Sequence, residues 1–194
     1  MRDYETIARQ AQASDAATLV AWLDVNLPDL WAQDYGEAPN LLAISARDDG
    51  RSFCRYLFDH AGAAGPDAAV EDRVVAVWGV SAPPPAPRDA ARLQGFLRGV
   101  WSRAFRGDDR GHFFAHTMGG GLDINLFPQS ARLNRGGLWR RMENYAARHP
   151  GTFCFVRPIY DDPSWRPARL EFGLFKTATA DPAAFWGHVF DNTA

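Results

Sequence analysis

Asp109-Arg110-Gly111-His112 is followed in the chain by Asn125, Pro128-Gln129, Asn134 and Glu143. One window thus holds an arginine, a histidine, two asparagines and a carboxylate. These are the residue types that metal-assisted phosphodiester cleavage requires. A neutral imidazole can take a proton from water near neutral pH. A hard cation is held by a few oxygen ligands, and an arginine holds phosphate oxygens in a fixed fork.

The order of these residues is more specific than any one of them. Asp109-Arg110-Gly111-His112 is followed by Asn125-Leu126-Phe127-Pro128-Gln129, then Leu133-Asn134, then Trp139-Arg140-Arg141-Met142-Glu143. The run D-R-G-H, N-x-x-P-Q, L-N, W-x-x-x-E resembles the DNA/RNA non-specific endonucleases, the ββα-metal or His-Me finger nucleases. The match is tight over about residues 105 to 148 and looser through Phe153 to Phe175.

The resemblance implies a role for each position. His112 would be the general base. Asn134 would be the direct protein ligand of one magnesium ion, with manganese as a substitute, and Glu143 would hold metal-bound water. Arg110 would bind the phosphate or the leaving group, and Asp109 would orient a neighbour. Asn125 would bond the His112 carbonyl or support the site, and Arg135 and Arg140 would meet backbone phosphates. The substrates would be DNA and RNA. A toxin of this kind would also have a protein inhibitor as partner.

Two other readings stay open. One is a nuclease-like domain that binds nucleic acid or a partner but does not cut. The other, weaker, is a zinc hydrolase using His112 and His116. Were Arg110 to His116 a strand, these histidines would share a face but stand roughly 13 Å apart, too far for one ion.

The elements that position these residues are legible in outline. A short helix fits residues 3 to 13. Ser14 then caps a second helix, in which Ala16, Leu19, Val20, Leu23 and Leu27 recur at helical spacing until Pro28. Leu41–Ser45 reads as a strand and Asp48-Asp49-Gly50 as a turn. Phe53, Tyr56 and Leu57 favour a helix over Ser52–His60, and Gly62–Pro66 reads as loop. Val74–Val80 reads as a strand, followed by a Pro-rich connector at 83–87. One helix is expected over Asp89–Phe105, its stripe of Leu93, Phe96, Leu97, Val100, Trp101, Ala104 and Phe105 in the core.

The ββα unit is expected from Arg110 to Arg148. Its strands are Arg110–His116 and Leu122–Phe127, joined through a flexible Gly119-Gly120-Gly121 turn, and its helix is Gly137–Arg148. On an unbroken helix Asn134 and Glu143 would face opposite ways, because each residue turns about 100°. The segment between Asn134 and Trp139 is one residue longer than the resemblance implies, so the two converge only if that surplus residue is absorbed before the helix, and Gly136-Gly137 is the place for it. Thr152–Tyr160 and Ala168–Phe175 then form a hairpin, and Phe185–Phe190 a short amphipathic element. The fold class expected is α+β, a mostly antiparallel sheet flanked by helices. The expected organisation is one domain over 1–194, with 1–82 as helices and strands and 88–194 as the catalytic portion.

Composition fits this reading. At 194 residues and 46% hydrophobic content the chain can bury a sizeable core. The net charge is −2, but from Leu97 to Arg148 nine arginines stand against four acids, a local +5. Such a field suits a polyanion. No apolar run is long enough for a membrane span and no signal peptide is evident. The expectation is a cytoplasmic protein, or one exported without a classical signal. Cys54 and Cys154 read as buried thiols, with no C-x-x-C pair to build a zinc site.

Overall fold

The computed structural model describes residues 1–36, 38–48, 52–64, 70–84 and 87–193. The expected Asp49-Gly50 turn, the end of the Gly62–Pro66 loop and the middle of the Pro-rich connector lie outside them. The elements in chain order are α1 (Tyr4–Arg9), α2 (Ala16–Tyr35), β1 (Leu41–Asp48), β2 (Ser52–Asp59), β3 (Arg73–Val80), α3 (Ala90–Gly95) and α4 (Arg98–Ala104). They continue with β4 (Asp108–His112), β5 (Leu126–Ser130), α5 (Ala131–Arg135), α6 (Gly137–Arg148), β6 (Phe153–Ile159), β7 (Arg169–Phe175) and β8 (Phe185–Asp191). Six strands form an antiparallel sheet in the order β1-β2-β3-β6-β7-β8, and β4 pairs with β5 as a separate ribbon. This is the α+β class expected.

Alternation along the strands fills two cores. Phe153 and Phe155 of β6 pack with Tyr4, Leu19, Leu23, Leu27 and Trp31 of α1 and α2 on one face. Cys154 and Val156 point to the other face, where Phe172, Leu174, Phe127, Trp139 and Met142 meet them. The sheet is therefore covered on both sides, and the second core fastens the β4–β5–α6 unit to it. Both cysteines are free and buried.

Helical spacing misled at Ser52–His60, which is strand β2, hydrogen-bonded to β1 and β3. Cys54 and Tyr56 face the ββα side while Leu57 faces α2, a period of two. Pro28 does not end α2, which runs on to Tyr35 with the proline inside it. An interior proline costs about 3 kcal/mol. The stripe of Leu19, Leu23, Leu27 and Trp31, each at most 1% exposed, outweighs that at about 1.5–3 kcal/mol per large side chain. The cap of α2 is Asp15, not Ser14: its Oδ1 accepts from Thr18 N at 2.8 Å.

The long helix expected over Asp89–Phe105 is two. Leu97 breaks it with left-handed torsions, φ 44° and ψ 36°. The break rotates α4 relative to α3, so the stripe does not form one core face. Trp101 and Phe105 are buried against Trp165, whereas Leu97 and Val100 are 45% and 42% exposed. The C-terminal element expected at Phe185–Phe190 is the edge strand β8.

Candidate active site

The candidate site is built on the β4–β5 ribbon and the start of α6. Strand β4 ends at His112, four residues earlier than the sequence suggests, and β5 begins at Leu126 after a short 3₁₀ turn at Asp123–Asn125. The chain between them is held by buried polar groups. Asn125 Oδ1 accepts from Phe114 N at 2.9 Å, and its Nδ2 donates to Phe114 O at 2.7 Å and Gly121 O at 2.8 Å. Asn125 thus clamps the segment after His112 rather than bonding the His112 carbonyl. His116 opens a 3₁₀ turn, so the extended spacing assumed between the two histidines does not exist.

Gly119-Gly120-Gly121 is a packed turn, not a loose one. Gly120 N donates to Ala115 O at 3.0 Å, and a Cβ on Gly120 would overlap the Phe114 carbonyl oxygen. Backbone cannot yield as a side-chain tip can. Gly120→Ala is therefore expected to cost at least about 3 kcal/mol, read as a fall in the chemical-denaturation midpoint at unchanged slope. A variant with wild-type stability would show that the turn has room.

Between α5 and α6 the surplus residue is absorbed where the glycines stand. Helix α5 ends at Arg135, and Gly137 adopts φ +66° before α6 proceeds. The break brings Asn134 and Glu143 into one pocket of about 320 Å³, with Arg88, Arg110, His112, Ala115, Thr117, Arg135 and Arg140. Every residue expected to bear on the chemistry lines this pocket except Asp109 and Asn125. Arg88 was not anticipated. It precedes α3, outside the motif, and its only sequence signal is a lone arginine after a Pro-rich run.

Asp109 fixes the amide. Its Oδ2 accepts from Asn134 Nδ2 at 2.9 Å, and its Oδ1 pairs with Arg135 at 2.6 Å. These donors, together with the Arg135 charge, outweigh the effect of burial and hold the Asp109 carboxyl below its ordinary pKa. Asn134 lines the pocket with its Nδ2 tied to Asp109.

Glu143 is 4% exposed, so it is no solvated surface glutamate, although it does pair with Arg140 as its position three residues on suggests. Oε1 accepts from Trp139 Nε1 at 2.9 Å and Oε2 from Arg140 at 2.6 Å. Burial raises its pKa, opposed chiefly by the Arg140 charge. The W-x-x-x-E spacing is thereby explained, since a helix places residues four apart side by side.

Arg110 is aimed by two contacts. Its Nε donates to Phe96 O at 3.1 Å, and its guanidinium lies 4.7 Å from the centre of the Trp101 ring. Gln129 is buried and packs against Gly111, where a Cβ would overlap it.

His112 is 7% exposed, and burial first, then Arg88 and His116, pushes its pKa down to about 3. The imidazole is neutral across the physiological range. Its Nε2 is fully buried and has no hydrogen-bond partner among the described residues. Among the described residues, no group of three or more His, Cys, Asp or Glu side chains could hold a metal ion. The donor set for a zinc hydrolase is not assembled by His112 and His116.

The pocket thus gathers a neutral imidazole, an amide held by Asp109 and four arginines around one buried carboxylate. A family model described as DNA/RNA non-specific endonuclease matches residues 72–174, more than half of the chain. The chain belongs to that family, and the protein is a nuclease of the hydrolase class. Two solved structures are similar at low identity. One, described as an extracellular endonuclease, is 16% identical, covers 80% of each chain and gives a TM-score of 0.40. Another, described as an extracellular nuclease, is 14% identical, covers 81% of this chain and 88% of its own, and gives 0.34. No curated protein matches.

Proposed function

We propose that the protein is a sugar-nonspecific endonuclease that hydrolyses phosphodiesters of DNA and RNA with His112 as general base and one magnesium ion. The observation that supports this best is the Asp109–Asn134 hydrogen bond, which ties up the Asn134 Nδ2 in the pocket shared with His112 and the arginines, so that the neutral, hard amide oxygen is the group left for an ion. Such a donor fits magnesium, which takes few protein ligands and keeps much of its water. Asn134 would hold the ion, with Glu143 contributing through water; manganese would substitute. When bound, the ion supplies positive charge against the charge that builds on the phosphate and the leaving oxygen.

The chain's own residues do the rest. Arg110, preset by Phe96 O and Trp101, binds the phosphate oxygens with little entropy left to lose. Arg88, Arg135 and Arg140 bring further positive charge to the pocket wall. His112 takes a proton from the attacking water as the new P–O bond forms and the bond to the leaving oxygen breaks; that oxygen leaves as the alcohol after taking a proton from solvent, and the imidazolium returns its own to solvent. Its Nε2 is sealed in the protein, so Nδ1 is the nitrogen that receives the proton.

Plasmid DNA and an RNA transcript test the proposal together. Both should be cut with magnesium or manganese and neither in excess chelator. Salt should inhibit steeply, because arginine contacts to phosphates release counterions. Undiminished cleavage in chelator would rule out the metal; binding without cleavage under every metal would leave a nuclease-like binding domain.

A further inference from the structure

Arg110 has a second neighbourhood. Beyond its guanidinium lies a wider recess of about 560 Å³, lined by Ala91, Gln94, Gly95, Arg98, Trp101 and Arg110, with no acid among them. Helix α3 carries no buried side chain. It is held by its Asp89 cap, whose Oδ1 accepts from Arg92 N at 2.9 Å, and by the Arg92–Asp123 ion pair. Gln94 and Arg98 are exposed, and neither side chain bonds to any described residue. Small side chains at Ala91 and Gly95 keep the recess open between them.

A polymeric anion seated in the His112 pocket must leave it along some surface. The recess adjoins that pocket through the shared Arg110, and offers a guanidinium and an amide without partners among the described residues, and an aromatic floor. We propose that this recess is a binding subsite for the nucleotide next to the scissile phosphate, with Arg98 on the neighbouring phosphate, Gln94 on the base edge and Arg110 bridging the two pockets. The subsite rests on the nuclease reading above and adds to it a preference for polymers over minimal diesters.

Two variants test it. Arg98→Ala removes the charge. Gly95→Leu fills the recess, and a Cβ there meets nothing within 4 Å, so the fold has room for it. The first readout is the ratio of kcat/KM on an oligonucleotide to that on bis(4-nitrophenyl) phosphate, a diester too small to span both pockets. That ratio should fall about tenfold in each variant, the worth of one charge-assisted contact. For Arg98→Ala the log–log salt slope of binding should also become shallower by about 1. The second readout is fluorescence anisotropy of a labelled oligonucleotide in chelator, where affinity should fall in parallel. An unchanged ratio, including equal loss on both substrates, overturns the subsite, and so does unchanged affinity. A wild type that binds oligonucleotide but cleaves neither substrate rejects the nuclease reading instead, and the affinities alone then decide the subsite. A wild type that does not bind oligonucleotide overturns it as well.

Discussion

His112→Ala should lower cleavage of plasmid DNA by about 10²–10⁴-fold while leaving the protein folded and its metal affinity unchanged, the usual range for loss of one general base. Reduced cleavage alone would not identify the base, so the pH profile carries the sharper test. With the free-state pKa of His112 pushed down to about 3, the imidazole already accepts protons at pH 5. The kcat/KM profile of the free enzyme should therefore show no step near 6.5 that belongs to His112, and should fall only as the pH approaches the lowered value. Bound phosphate brings negative charge beside the ring and stabilises the imidazolium, so the corresponding step in kcat should lie at higher pH than that in kcat/KM. His116→Ala serves as the control and should keep most activity, since His116 is not among the residues lining the pocket. Equal losses in both histidine variants, accompanied by loss of bound zinc, would replace this base with a zinc centre. A kcat step at or below that in kcat/KM would show that the ring does not face the phosphate.

Asn134→Ala should abolish cleavage at ordinary magnesium concentrations by a different route, a loss of metal affinity with the base intact. The positioning role of Asp109 separates this from mere damage to the pocket. Asp109→Ala frees the Asn134 amide to rotate and releases Arg135. It should weaken metal binding by about 10–100-fold, the usual cost of losing a group that orients a ligand. Raised manganese should recover activity in Asp109→Ala more than in Asn134→Ala, because the oxygen donor is still present. Titration calorimetry of metal with each variant gives the reading free of turnover. Wild-type metal affinity in both variants would move the ion elsewhere.

The sequence by itself determined the family and most of the residue types that line the pocket, because both reside in residue types at fixed short spacings. His112, Arg110, Asn134 and Glu143 lie within one window, and a helix period alone sets Trp139 beside Glu143. It also made plain the hairpin of β6 and β7 and helix α6, whose patterns are strong and local. Tertiary structure decided the rest. Strand β2 reads as helix until β1 and β3 supply its hydrogen bonds. Helix α2 passes through Pro28 because Trp31 has a core to enter, and α3 and α4 separate at Leu97 because Trp101 and Phe105 pack on Trp165. Arg88 reaches the pocket from outside any motif, and the low pKa of His112 arises from its burial in the folded chain and then from the charge of Arg88. Local pattern specifies which chemistry is available. Long-range packing specifies which face each group presents and how much water it keeps, because burial and electrostatic field depend on neighbours that spacing along the chain cannot name.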